Sequence, residues 1–227
     1  LADQALVERV RRVMATMIPA QAPDLVVIAC NTASTLVLSD LRAGFPVPFV
    51  GTVPAIKPAA EASKSRRIAI LATPATVRRD YTQGLIRSFA RDCDVILHAP
   101  PLLAERAETV FAGGHVSDAA LQEDLAPCFV DMDGRQTDVV VLGCTHYPLL
   151  LDRFQALAPW PVQWIDPAPA IARRVQALLA LQNLLHNRLR HSNTHLFINT
   201  GAADFYERLR DPLAVRGFSG GEWHPIA

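Results

Sequence analysis

The sequence predicts an α/β protein built on mainly parallel sheets, and three observations predict it. Short apolar runs recur at Leu25 to Cys30, Val47 to Val50, Arg67 to Leu71, Asp94 to Leu97, Val139 to Leu142, Val162 to Ile165 and His195 to Ile198. Segments of helical spacing separate most of them, and the runs are apolar at consecutive positions, as strands covered on both faces require. The third observation is an internal echo. Asp24-Leu-Val-Val-Ile-Ala-Cys30 and Asp138-Val-Val-Val-Leu-Gly-Cys144 each place an Asp six residues ahead of a Cys that ends an apolar strand.

Taken in order, Leu6, Val7, Val10, Val13, Met14 and Met17 recur at helical spacing, so an amphipathic helix runs from the start to Pro19 and leads into the first strand. Asn31, Thr32 and Ser34 supply capping oxygens for a helix beginning after Cys30, and Thr145 and Pro148 mark another beginning after Cys144. The Pro-rich passage Pro46 to Pro58 and the segment Trp160 to Pro169 are the places where the chain crosses between lobes. The polar stretch His186 to Thr194 reads as a loop or a linker. The expected architecture is two similar three-layer α/β lobes, residues 1–57 with 166–227 and residues 58–165. A pseudo-two-fold axis relates them and sets the two strand ends, each with its cysteine, across one cleft.

Composition excludes several classes. Lys plus Arg and Asp plus Glu both number 22, so no net charge draws the chain to phosphate backbones or an anionic membrane. The apolar runs are far shorter than a membrane span, and the first twenty residues carry acids and arginines rather than a secretory core. A soluble cytoplasmic protein with no nucleic-acid or membrane partner is expected. The four cysteines, Cys30, Cys93, Cys128 and Cys144, form no C-x-x-C pair and read as reduced thiols.

In open α/β sheets the carboxyl ends of the strands face the ligand crevice, where the next helix offers free N–H groups. Cys30 and Cys144 both fall there. A helix N-terminus lowers a thiol's pKa from its usual ~8.5 and also binds a substrate carboxylate. Two symmetry-related thiols suit inversion of a stereocentre, one removing an α-proton and the other delivering a proton to the opposite face. Asn31, Thr32 and Thr145 are donors for the carboxylate of the carbanion, and His146 is placed to tune Cys144 or exchange its proton.

A cysteine ending a buried strand is ordinarily a small core residue. Here each is followed by polar residues, Asn-Thr or Thr-His, whereas Cys93 and Cys128 lack such a setting. Cys144 and His146 alone make a poor zinc site, and Leu36 and Leu150 stand where a Cys-x5-Arg phosphatase loop needs arginine. No Gly-rich phosphate loop is present, and Lys57 and Lys64, the only lysines, lack a pyridoxal-type setting. Chemistry without a cofactor or metal is expected. His98, His115, His186, His191, His195 and His224 read as surface or loop residues.

Ala29-Cys-Asn-Thr-Ala-Ser34 and Leu142-Gly-Cys-Thr-His-Tyr-Pro-Leu-Leu150 resemble the glutamate racemases of the aspartate/glutamate racemase superfamily. VGTVPAIKPA after the first cysteine, ATPATVRRDY at Ala72 to Tyr81 and WIDPAPAIARRV at Trp164 to Val175 extend the likeness nearly end to end. The resemblance implies a cofactor-independent racemase supplying D-glutamate for peptidoglycan, and a homodimer. Cys30 would take the proton from the D-isomer and Cys144 from the L-isomer, with Asn31, Thr32, Thr145 and His146 binding the amino acid. A supporting acid is expected at Glu108, with Glu105 the alternative. His146 favours glutamate over aspartate, whose enzymes typically carry an acid there. Family members carry an Asp-Ser-Gly strand and a Tyr-Gly pair ahead of the helix that opens this chain, and neither motif occurs here. The alternatives are therefore a racemase for aspartate or another amino acid, and a truncated, non-catalytic binding or regulatory relative.

Overall fold

Two strands that are buried at every position organise the molecule. The computed structural model describes residues 3–182 and 195–226. In it β3 (Arg67–Ala72) and β7 (Val139–Gly143) lie side by side, between β4 (Asp94–His98) and β8 (Gln163–Ile165), in a four-stranded parallel sheet of order β4-β3-β7-β8. Their side chains alternate between two cores. Ala69, Leu71, Val140 and Leu142 pack with residues of α6 (Leu103–Phe111), α7 (Asp118–Leu125) and α8 (Leu151–Leu157). Ile68, Ile70, Val139 and Val141 face α3 (Ile56–Ala62) and the end of α5 (Asp80–Phe89). Helices on both faces make this region three-layered, and each fully buried Val, Leu or Ile contributes about 1.5–3 kcal/mol.

The opening region is a βαβ unit. α1 (Asp3–Gln21) runs past Pro19 for two residues and ends at Ala22, whose φ is positive; the expected stop at Pro19 is too early, because a proline in the last turn interrupts little of the helix behind it. Val7, Val10, Met14 and Ile18 pack on the cluster of Ile28, Val37, Leu41 and Phe49. β1 (Val26–Ile28) and β2 (Phe49–Gly51) pair in parallel with Val26 opposite Phe49, joined by α2 (Asn31–Gly44). After α9 (Ala168–Leu181), β9 (His195–Asn199) and β10 (Phe218–Trp223) form a second parallel pair around α10 (Phe205–Ala214). The stretch His186 to Thr194 and the histidines 186 and 191 lie outside the described residues.

Several features differ from the expectations. β10 and a hairpin of β5 (Asp131–Met132) and β6 (Arg135–Gln136) were not foreseen. The hairpin turns on Asp133 and Gly134, both at positive φ, the Asp-Gly type of turn. Beneath it the buried Arg67 guanidinium donates to the Met132 and Arg135 carbonyls at 2.7 and 2.6 Å and to Asp94. His98 lies in a strand, partly buried, with Nε2 bonded to the Asp124 carbonyl at 2.7 Å, while His195, though in a strand, is at the surface as expected. Among the described residues no helix is long and apolar enough to cross a membrane.

Candidate active site

β1 and β7 deliver the two cysteines. Just past β1, Cys30 is the N-cap of α2: its backbone is extended, and its Sγ accepts from Ala33 N at 3.4 Å. The sulfur thus stands where a serine or aspartate oxygen usually caps, and the residue is exposed. One position on, Asn31 is 3% exposed. Thr32 turns its hydroxyl onto Thr76 Oγ1 at 2.9 Å and Thr73 Oγ1 at 3.4 Å, and those two lie 3.0 Å from each other. Thr73 and Thr76 belong to the N-terminus of α4 (Pro74–Val77), capped by Thr73 with Pro74 at its first position. Sequence reasoning passed over these two hydroxyls, although Thr-Pro-x-Thr is a capping signature.

Just past β7, Cys144 is 7% exposed, and its Sγ lies 3.4 Å from His146 Nδ1. His146 Nε2 is 2.6 Å from Glu108 Oε1 on α6. Of the two acids weighed from the sequence, Glu108 makes this contact, and Glu105 lies on the same helix, exposed. The chain Cys144–His146–Glu108 connects a buried thiol to a carboxylate about half in solvent.

No α-helix begins at Cys144. Residues Tyr147–Leu150 form a single 3-10 turn before α8 starts at Leu151, so the helix expected after Cys144 opens as a 3-10 turn whose first N–H groups still face the thiol. Burial pushes the Cys144 pKa up; the backbone N–H groups of His146 and Tyr147 oppose the shift, while the nearby Cys30 and Glu108 charges add to it. Desolvation wins because nearly all of the side chain is out of water. The two thiols are close enough for one to act electrostatically on the other. Cys128, wholly buried, is pushed up to about 12 by desolvation, and Cys93 is raised, chiefly by partial burial.

The joint between the two cysteines is reciprocal. Asn31, which follows Cys30, donates from Nδ2 to the carbonyl of Gly143, which precedes Cys144, at 2.5 Å. Thr145, which follows Cys144, donates from Oγ1 to the carbonyl of Ala29, which precedes Cys30, at 2.9 Å. Asn31 Oδ1 is buried with no partner among the described residues, and so is the Tyr147 hydroxyl. The acids of the internal echo precede their strands, at the end opposite the cysteines. Asp138 lies at the far end of β7, where it accepts from Ser63 Oγ, Lys64 N and Ser65 N at 2.6, 2.7 and 2.8 Å. A separate apolar cavity of about 330 Å³, lined by residues including Thr52, Ile56, Phe89 and Ile171, contains neither thiol.

Residues 1–175 match the family model described as Asp/Glu/Hydantoin racemase. The chain belongs to that family. It is 50% identical over 204 residues to a glutamate racemase of Brucella anthropi, covering 89% of this chain and 73% of that protein. It is 53% identical over 182 residues to one from Sinorhizobium fredii, covering 80% and 68%. Among solved structures, Escherichia coli glutamate racemase in complex with L-glutamate and the activator UDP-MurNAc-Ala superposes with a TM-score of 0.89 at 34% identity, over all of this chain and 84% of that one. A Bacillus anthracis glutamate racemase superposes at 0.77 with 22% identity, which speaks for the fold alone.

Proposed function

We propose that this chain is an amino-acid racemase that interconverts L- and D-glutamate with two thiols and no cofactor. The observation that carries the reading is the reciprocal pair of bonds, Asn31 to Gly143 and Thr145 to Ala29, which ties together two strand ends that each present a cysteine. The glutamate racemases it resembles support the choice of substrate.

In the D-to-L direction the Cys30 thiolate takes the α-proton, and the electron pair left on Cα is delocalised into the carboxylate. The Cys144 thiol then gives its proton to the opposite face. Burial favours the protonated form of Cys144, which suits it to this role. In the reverse direction Cys144 must first lose its proton, and His146, bonded to Glu108, is within reach to take it. Thr145 and His146 bind the amino acid from one side and Asn31 and Thr32 from the other; the Thr145 hydroxyl, its hydrogen given to the Ala29 carbonyl, serves as an acceptor for the ammonium group.

In this reading residues 1–57 with 166–227 form one lobe and 58–165 the other. The protein works in the cytoplasm as a homodimer and supplies D-glutamate for peptidoglycan.

The test is exchange of the α-proton of D- and L-glutamate in deuterated water, with aspartate as control, for the chain and its Cys30→Ala and Cys144→Ala variants. Thiol-dependent exchange of glutamate supports the reading. Faster exchange of aspartate transfers the activity to that substrate, and no exchange by a folded sample makes the chain a non-catalytic relative.

A further inference from the structure

Glu108 reaches His146 only if α6 is held at one rotation about its own axis. α6 seats Leu103 and Ala107, both wholly buried, on the core, with the small Ala104 and the partly buried Val110 beside them; this stripe sets which side faces inward, while the finer rotation depends on the flanks. The Glu108–His146 contact does little to fix the helix, because both side chains are substantially exposed, 49% and 40%, and such pairs bind weakly.

The opposite flank is held differently. Arg106 Nη1 donates to the Ala120 carbonyl at 2.8 Å and to the Asp124 carboxylate, both on α7. The two side chains are only 23% and 10% exposed. The Asp124 backbone oxygen is bonded in turn to His98 Nε2 at the end of β4. Arg106 therefore joins α6 to α7 and, through Asp124, to the edge of the four-stranded sheet. Arg106 and Glu108 are two residues apart, about 200° around the helix, so a bond that pins one side chain sets the direction of the other. At a helix radius of about 5–6 Å with side chains, a roll of about 20° moves a side-chain end by about 2 Å. That displacement breaks a contact of 2.6 Å.

We propose that Arg106 and Asp124 are positioning residues whose task is to aim Glu108 at His146, and through it to set the Cys144 end of the site. The kinetic part rests on the racemase reading given above; the geometric part does not.

The experiment uses the full chain labelled with 15N-histidine, with the His146 Nε2 resonance assigned by its loss in His146→Gln. Glu108→Gln defines the signal of the altered contact. Arg106→Met and Asp124→Ala should move the resonance most of the way to that value while thermal melts remain cooperative. A folded Arg106→Met or Asp124→Ala protein whose His146 signal stays at the wild-type position overturns the proposal. Arg106→Lys, which keeps the charge but ends one bond short of the nitrogen that makes both contacts, supplies the same comparison if neither variant folds.

The kinetic arm is a double-mutant cycle on α-proton exchange. Arg106→Met should lower the rate about tenfold in the wild-type background and less than about twofold in Glu108→Gln, because coupled residues are non-additive. Equal losses in both backgrounds overturn the proposal. A wild-type chain that exchanges nothing refutes the racemase reading alone, since the resonance comparison still decides whether Arg106 positions Glu108.

Discussion

Asn31→Asp changes one nitrogen to an oxygen at the joint between the cysteines, and its cost is calculable. The side chain is 3% exposed, and its Nδ2 faces the Gly143 carbonyl at 2.5 Å. An aspartate keeps that bond only as the neutral acid. Holding a carboxyl of ordinary pKa ~3.9 neutral at pH 7 costs about 4 kcal/mol, at 1.36 kcal/mol per unit. Leaving it charged and buried costs about 3–5 kcal/mol, offset by about 1 kcal/mol because the residue opens α2 and meets the positive helix terminus. The cheaper route gives a loss of about 3 kcal/mol at pH 7, and at pH 5 protonation brings it to about 1.5 kcal/mol. The sign follows from linkage: a carboxyl whose folded pKa is raised contributes fully below its unfolded pKa, and that contribution is lost as pH rises. For a chain of this size the melting temperature should fall by about 6–12 °C at pH 7 and about 3–6 °C at pH 5, relative to the parent at each pH. Scanning calorimetry measures both. An equal loss at the two pH values would refute the reasoning, since it would mean that no buried carboxyl is being forced to give up its charge.

Four further outcomes are expected. Because Cys30 is exposed and Cys144 buried with a raised pKa, iodoacetamide at neutral pH should label Cys30 first, as peptide mass mapping would show. The stability linked to the Cys144 thiol is present at low pH and lost as pH rises through its raised pKa, so Cys144→Ala should flatten the alkaline side of the melting profile. Thr76→Val removes the hydroxyl 2.9 Å from Thr32 at nearly constant shape; glutamate exchange should drop about tenfold or more while stability changes by about 1 kcal/mol. Asp138→Asn loses the charge that receives three bonds at the far end of β7. Partial burial raises the Asp138 pKa, but the bonds from Ser63, Ser65 and Lys64 outweigh it and lower the pKa overall. Its stabilisation is therefore present above the unfolded pKa and lost as pH falls through the folded one. Acid titration of the parent should show a loss that the variant lacks.

What was legible in the sequence is what burial writes there. β3 and β7, covered on both faces, read directly as apolar runs, and the sequence also placed the two cysteines just past β1 and β7. β10 did not, since Phe-Ser-Gly-Gly-Glu-Trp pairs with β9 alone and has neither an unbroken apolar run nor clean alternation. The β5–β6 strands are two residues each, and the buried Arg67 beneath them is a long-range cause. The Asp133-Gly134 turn was available as a local signal. Choosing Glu108 over Glu105 depended on which way each side chain points from one turn of α6. At Cys144 the terminus expected from the sequence is a 3-10 turn, and desolvation outweighs its two N–H donors. Motif spacing carries no information about either effect.

The crossed bonds at the cysteines also bear on how the site can change. Asn31 holds the residue before Cys144, and Thr145 holds the residue before Cys30. The gap between the sulfurs is thus a shared dimension of the joint. A substitution that shifts one strand end disturbs the anchor of the other, so remodelling the site for a bulkier substrate calls for matched changes on both sides. An engineer, like natural selection, would have to vary the two Cys motifs as a pair.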